Sequence, residues 1–368
     1  MARPAQRGEA ERSRRRGAVR RALLAWYRRE RRDLPWRRTR DPWAIWVSET
    51  MLQQTRVETV IPYYERFLER FPTVQALADA DADELMRSWA GLGYYSRARN
   101  LKAAASRVVR EHGGLVPGDV EALRALPGVG RYTAGALASI AFDRPAPVVD
   151  GNVARVLARL LELDLDVGSP AGQRRLWDEA ESLARGPSPG DLNQALMELG
   201  ALVCTPRAPR CPSCPLRAHC RGLASGRAEA LPVKAPKVAP KRVEAVAALL
   251  ARGPRVLAVR RPPRGLLGGL WELPGDELAP GEPPGRGLAR ALRERIGLAP
   301  VRAKRLGEVT HGFTHRTLRL HVYRAEAPAG RVRLCHVDAH RWLPLAALET
   351  LPLSALAKKA LTLAASHA

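Results

Sequence analysis

The 25 residues from Leu126 to Asp150, LPGVGRYTAGALASIAFDRPAPVVD, constrain this chain more than any other stretch. A Pro-Gly-Val-Gly turn between apolar helical segments predicts a glycine hairpin that opens a helix, followed by a Gly/Pro-containing approach to one carboxylate, Asp150. Glycines at 128 and 130 let backbone amides come close to a phosphate at a helix N-terminus, where the helix dipole favours an anion. Such a grip has no sequence preference. An ordinary helical corner with Asp150 as a helix N-cap fits these residues equally well.

Two further signatures shift the balance. In VSETMLQQT, Glu49 falls among the helical apolar positions Ile45, Trp46, Met51 and Leu52, where a carboxylate is costly unless it is used or paired. Downstream, VVDGNVARVLARLLEL sets Asp150 just ahead of a helix with the apolar stripe Val153, Val156, Leu157, Leu160 and Leu161. Cys204, Cys211, Cys214 and Cys220 then follow with the spacing C-x6-C-x2-C-x5-C, within 17 residues. That suits a compact iron-sulfur cluster on four thiolates better than zinc, whose C-x2-C pairs stand farther apart. Disulfides are the third possibility, and no signal peptide supports it.

The hairpin and Asp150 resemble the helix-hairpin-helix/GPD superfamily of base-excision DNA glycosylases. Taken with SETMLQQT, GLGYYSRARNL, VVDGNVARVLAR and the four-cysteine loop, they resemble its MutY family of adenine glycosylases, from about residue 20 to 360. The resemblance implies hydrolytic removal of adenine opposite 8-oxoguanine, and more weakly opposite guanine, in double-stranded DNA. Tyr132 stands where a lysine would form a Schiff base and cut the strand, so base removal alone is implied. By resemblance Glu49 is the general acid and Asp150 the ionised stabiliser of a cationic sugar. Tyr132 and Asn152 orient Asp150, sugar or water; Gln54 and Tyr94 wedge into the duplex; and Gly128, Gly130 and Arg131 hold the DNA. An apolar surround is expected to raise the pKa of Glu49, and helix amides to keep that of Asp150 low. Cys204, Cys211, Cys214 and Cys220 are expected to hold one [4Fe-4S] cluster that braces a basic loop bearing Arg207, Arg210, Arg217 and Arg221.

A chain of 368 residues exceeds the usual single core. Its 61 basic and 37 acidic side chains leave a net charge of +24, which points to a polyanion as partner. Residues 1 to 40 alone carry fifteen Arg against Glu9, Glu11, Glu30 and Asp33. Because only seven basic residues are Lys, part of that excess reflects nothing more than a G+C-rich genome. No apolar run approaches the ~20 residues of a membrane span. The expectation is a monomer in a reducing bacterial cytoplasm, associated with the nucleoid.

The expected layout has four parts: a disordered basic tail over 1–16, an all-α glycosylase module over 17–221 with its cysteine loop at 204–220, a Pro/Ala/Lys-rich linker over 222–242, and an α+β domain over 243–365. The linker, if extended, is a candidate docking strip for a protein partner. In the last domain GLLGGLWELPG, Glu282 and RALRERIGL resemble a decayed Nudix box, in which only Glu294 remains of the metal-binding glutamates while Ala291 and Arg295 replace others. One carboxylate will not hold a catalytic magnesium. The resemblance implies an 8-oxoguanine recognition domain, with Phe313, Thr314 and His315 matching a Phe-Ser-His loop that touches the oxidised base. Thr314 keeps the hydroxyl and adds a methyl, which puts discrimination against guanine in question.

Overall fold

Asp41 opens the first helix of the core: its carboxylate accepts from the amides of Trp43 (3.1 Å) and Ala44 (3.2 Å), and Pro42 fills the position where no donor is needed. The computed structural model describes residues 4–236, 239–263, 265–313 and 315–366, with backbone alone for residues 4–10 and 12. In chain order the longer elements are α1 (Pro4–Glu30), α2 (Pro42–Leu52), α3 (Val57–Arg70), α4 (Val74–Asp79), α5 (Ala82–Trp89), α6 (Ser96–His112), α7 (Val120–Ala125), α8 (Arg131–Ile140), α9 (Gly151–Leu161), α10 (Pro170–Ala184), α11 (Pro189–Leu202) and α12 (Arg221–Ala224). There follow β1 (Lys241–Arg252), β2 (Arg255–Arg260), β3 (Trp271–Glu272), β4 (Gly275–Glu277), α13 (Pro284–Ile296), β5 (Ala303–Gly312), β6 (Arg316–Glu326), β7 (Ala339–Pro344) and α14 (Ala355–Ala365).

Two compact units result. One holds the residues up to Asp79 together with Asn100–Pro236; the other holds Ala80–Arg99 and the chain from residue 237 on. The boundary therefore cuts through α6, and the segment with GLGYYSRAR packs with the C-terminal residues instead of with the flanking helices. In that segment Asp83 pairs with Arg260 (3.6 Å) and Arg341 (3.5 Å), and the Tyr95 hydroxyl donates to Leu353 O at 3.5 Å.

The first unit is helical, and its centre is the hairpin α7–α8 with α9 and α11. Gly135 in α8 faces the Pro147 carbonyl so closely that a Cβ would stand 2.1 Å from it. Helix α9 is buried nearly all round, Arg155 and Arg159 included. Helices α2 and α3 are separated after Leu52 by a short turn in which Gln54 takes a left-handed conformation (φ 61°). The expected disordered tail over 1–16 is instead helical from Pro4. Arg, Ala, Glu and Gln are good helix formers, and Arg15 anchors the helix by donating to Leu160 O (3.1 Å) and His219 O (2.7 Å) while Arg16 pairs with Glu179 (3.1 Å). The expected extended linker over 222–242 begins folded: Gly222, Ala228 and Leu231 are buried, Arg159 Nε donates to Leu231 O at 3.0 Å, and Val167 N donates to Val233 O at 3.1 Å. Ala228 and Leu231 are packed in, whereas residues 234–236 and 239–242 stay exposed.

The second unit is built on one mixed sheet of order β3-β2-β1-β6-β5, with β4 added to β1 and β7 to β2. Strands β1 and β6 are parallel, from Lys241 opposite Arg316 to Ala251 opposite Glu326; the other pairs are antiparallel. Strand β1 is apolar on both sides because both faces are covered. Ala245, Ala247 and Leu249 meet Ala357, Ala360, Leu361 and Ala364 of α14, whereas Val246, Ala248 and Leu250 meet Leu288, Ala291, Leu292 and Ile296 of α13. Among the described residues no helix is long and apolar enough to cross a membrane.

Candidate active site

Glu49 lies in α2, every residue of which from Trp43 to Met51 is buried. Its carboxyl is 5% exposed and accepts the Tyr132 hydroxyl at 2.7 Å. Desolvation raises its pKa from 4.5 to about 7; the negative charge of Asp150 adds to the rise, and the Tyr132 hydrogen bond and Arg37 oppose it. At neutral pH it therefore keeps a proton for much of the time.

Asp150 is both a helix cap and a site carboxylate. One oxygen accepts from Val153 N at 2.7 Å, and the other accepts from Asn152 Nδ2 at 3.0 Å. Both donors stabilise the anion, yet burial outweighs them and raises the Asp150 pKa above its ordinary value. The expectation of a low value is thus corrected: capping cannot offset desolvation this deep. Of the two side chains expected to orient Asp150, sugar or water, Asn152 bonds Asp150, while the Tyr132 hydroxyl bonds Glu49 instead.

Asn152 is itself held. Its Oδ1 accepts from Arg155 Nη2 at 2.8 Å, and the same guanidinium donates to Gly200 O (2.7 Å) and Cys204 O (2.7 Å). Gly200 is needed in α11 because a Cβ there would sit 2.6 Å from that of Asn152.

One cavity of about 650 Å³ collects Glu49, Gln54, Gly128, Gly130, Tyr132, Asp150 and Asn152, within the ~300–1,000 Å³ of small-ligand sites. Gly128 has φ +75°, and a Cβ on it would strike Asn100 Cβ at 2.5 Å, while Gly130 caps α8 with open space beside it. Arg131 is absent from the lining: its guanidinium lies 3.9 Å from the centroid of the Trp177 ring. Sequence reasoning missed Arg32, Arg37 and Glu198 in this cavity. Glu198 is 1% exposed and accepts from Arg32 N, Nε and Nη2 and from both terminal nitrogens of Arg37, at 2.8–3.0 Å. Burial would raise its pKa; the two guanidiniums reverse that and hold it at about 2. A carboxylate inside the apolar run of LNQALMELGAL was the available signal.

Cys204, Cys211, Cys214 and Cys220 line one small cavity with Arg159, Val203, Leu223 and Ala228. Arg159 Nη1 donates to Cys204 Sγ at 3.3 Å, and Cys220 Sγ donates to Arg159 O at 3.4 Å. Four thiols around an apolar space with a guanidinium beside them match the donor chemistry of an iron-sulfur cluster. No three described His, Cys, Asp or Glu side chains converge as ligands of a single ion.

In the second unit a cavity of about 610 Å³ is lined by Gly93, Tyr94, Tyr95, Leu266, His311, Phe313 and His315, among others. Tyr94 is 45% exposed with φ 47°, and Arg97 donates to the Leu92 and Gly93 carbonyls (3.2 and 3.1 Å), fixing the turn from which the ring projects. Phe313 N donates to Arg316 O at 2.7 Å, and His311 packs edge-on against the Phe313 ring, centroids 4.8 Å apart. Thr314 lies outside the described residues. The glutamates around the decayed box are neutralised by arginines: Glu272 accepts from Arg261 (2.9 Å) and Arg295 (3.3 Å), and Arg290 holds Glu282 (2.8 Å) and the remnant Glu294 (2.9 Å). Arg295 also donates to Gly275 O at 2.6 Å, so a guanidinium fills a position where a hydrolase would need a carboxylate.

Comparison with known proteins agrees with both units. Residues 47–178 match the family of HhH-GPD superfamily base excision DNA repair proteins, and residues 245–363 match the NUDIX domain family. The chain is 40% identical to the adenine DNA glycosylase of Rattus norvegicus, over 95% of this chain and 78% of that one, and 41% identical to that of Homo sapiens, over 93% and 73%. Among solved structures a thermostable thymine-DNA glycosylase superposes with a TM-score of 0.53 at 31% identity, covering 58% of this chain and 98% of that one.

Proposed function

From the premise that this chain belongs to the adenine DNA glycosylase family and removes adenine from DNA in base-excision repair, we propose that it acts on adenine opposite 8-oxoguanine by a two-carboxylate hydrolysis. The observation that carries this reading is the pairing of a protonated, buried Glu49 with a capped Asp150 in one cavity. Two donors on Asp150 and the raised pKa of Glu49 order the pair, so Asp150 releases its proton first and Glu49 keeps its own near neutrality.

Adenine leaves the stack at a cost of a few kcal/mol and enters the cavity. Glu49 gives its proton to an imidazole nitrogen of the base, which turns a poor leaving group into a neutral one. Asp150 faces the sugar and stabilises the oxocarbenium charge, or captures it transiently as retaining glycosidases do. Glu49, now ionised, then draws a proton from the attacking water. Tyr132 orients Glu49, and Asn152 orients Asp150. Tyrosine carries no amine, so no Schiff base forms and the strand stays intact.

The hairpin amides at Gly128, Gly130 and the start of α8 grip phosphates, Gln54 wedges into the duplex, and Tyr94 offers a flat ring for stacking against bases. The arginine at 131 contributes its amide more than its side chain, which is spent on Trp177. In the second unit the reading gives Phe313, Thr314 and His315 to the oxidised base, and it is supported by the cavity that Phe313 and His315 share. Cys204, Cys211, Cys214 and Cys220 would hold one [4Fe-4S] cluster, which when bound supplies a rigid brace for the basic loop. Reduced thiols and a DNA substrate fit a reducing bacterial cytoplasm, with the protein acting as a monomer.

Purified, cluster-loaded protein given a duplex with one A·8-oxoguanine pair should yield scission at the adenine only after hot alkali. Scission without alkali would mean lyase chemistry, and none in either lane would mean another lesion or a silent binder.

A further inference from the structure

Helix α1 carries a row of arginines that base removal leaves unexplained. Arg14, Arg21 and Arg28 follow at intervals of seven residues, all three are exposed, and none pairs with a described residue. Val19, Leu23, Trp26 and Tyr27 form the buried face. At 100° per residue the three arginines lie within about 40° of one another, and about 140–180° from Leu23. They are therefore a straight ladder on the side of α1 turned away from its core contacts.

The spacing suits one partner. Seven residues of helix rise about 10.5 Å, and one DNA strand sets a charge every ~3.4 Å along the duplex axis, so each rung spans about three base-pair steps. The ladder also has a fixed origin. Arg32, just beyond the end of α1, lines the base cavity, and counted along the helix Arg28, Arg21 and Arg14 stand about 6, 17 and 27 Å from it. Toward the other end Arg15 donates to His219 O in the cysteine loop, where Arg207, Arg210, Arg217 and Arg221 are exposed.

We infer that α1 is a straight rail laid along one arm of the duplex, its arginines meeting phosphates of either strand, reaching about eight base pairs from the extruded nucleotide and indifferent to sequence. The inference rests on the glycosylase reading above.

The test uses the full chain with R14A/R21A/R28A and duplexes carrying one A·8-oxoguanine pair, with arms of about twelve base pairs on both sides or with either arm trimmed to about four. Binding is followed by fluorescence anisotropy from 50 to 200 mM salt. At about 0.9 per phosphate contact, the variant should lose up to ~2.7 from the slope of log K against log salt whenever one particular long arm is present. The loss should vanish when that arm is trimmed, and single-turnover excision and helical circular dichroism should match the parent. A second variant, R255A/R286A/R293A, removes the same charge from exposed positions elsewhere and should leave the slope unchanged. An unchanged slope on every duplex overturns the rail. So does a loss that survives trimming of both arms, or one that the second variant reproduces, since either reports net charge alone. Failure of the parent protein to excise would count against the glycosylase reading and not against the rail.

Discussion

Glu49→Gln separates the two roles of this carboxyl, because it should abolish adenine release and yet make the protein more stable at alkaline pH. The folded state holds Glu49 near a pKa of about 7 against 4.5 in the unfolded chain. An acid whose folded pKa is raised contributes its stability below the unfolded value, and that stability drains away as pH climbs through the folded value. Between pH 4.5 and 7 the unfolded chain ionises while the folded one stays protonated, so folding weakens by about 1.4 kcal/mol per pH unit, about 3 kcal/mol in all. Glutamine keeps the oxygen that accepts from Tyr132 and never ionises. The variant should match the parent near pH 4.5 and exceed it by about 3 kcal/mol at pH 8, or ~6–12 °C in melting temperature for a unit of this size. The assay is paired thermal melts of cluster-loaded parent and variant across pH 5–8, with lesion-duplex binding and alkali-revealed scission at each pH. A melting difference that stays flat across that range would refute the desolvation argument. Substantial adenine release by the folded, cluster-loaded variant would falsify the assignment of Glu49 as the acid.

Other consequences can be checked separately. Tyr132→Phe removes the hydroxyl that eases ionisation of Glu49, so the falling alkaline limb of the excision profile should move to higher pH by up to ~1 unit, the worth of one hydrogen bond to a charged group; a limb that stays put or moves down would contradict this. Gly128→Ala adds a methyl 2.5 Å from Asn100 Cβ at a left-handed residue, which should cost about 1–3 kcal/mol and weaken duplex binding more than single-turnover excision. Cys214→Ser should lower the iron and sulfide content per chain and the melting temperature of the first unit together, as metal analysis beside a melt would reveal. Arg295→Ala would leave the Gly275 carbonyl without its side-chain donor while Glu272 keeps Arg261, destabilising the second unit by about 1–3 kcal/mol without creating magnesium-dependent nucleotide hydrolysis.

Much of the site was legible because buried charge is conspicuous. Glu49 stood out as a carboxylate in an apolar helical face, and Asp150 as a cap after a Pro-rich approach, and both line the cavity. Glu198 carried the same signal in α11, but its value depends on Arg32 and Arg37 arriving from a distant segment, a pairing that spacing alone does not display. The break after Leu52 was invisible for a different reason: the turn at Gln54, an exposed residue in a left-handed conformation, contains neither Gly nor Pro. Desolvation was judged correctly for Glu49 and too lightly for Asp150, since cap geometry can be read locally while burial depth is a property of the whole fold. Helix α14 went unread, although SALAKKALTLAA has a helical apolar period. The arginines of the N-terminus looked like a tail until Arg15 and Arg16 found acceptors more than 140 residues away.

The placement of Ala80–Arg99 with the C-terminal residues makes the chain cross between its units three times, after Asp79, after Arg99 and after Pro236. The molecule is stitched, not strung. A protease that nicked the single stretch near residue 237 would leave two covalent threads intact, so the halves would stay joined where a beads-on-a-string protein would fall apart. An expressed fragment ending at residue 236 would carry Asp83 without Arg260 and Arg341 and Tyr95 without the Leu353 carbonyl, and would be a damaged piece instead of a smaller enzyme. Dissection of such a chain is therefore better done by substituting residues on one unit than by cutting between them.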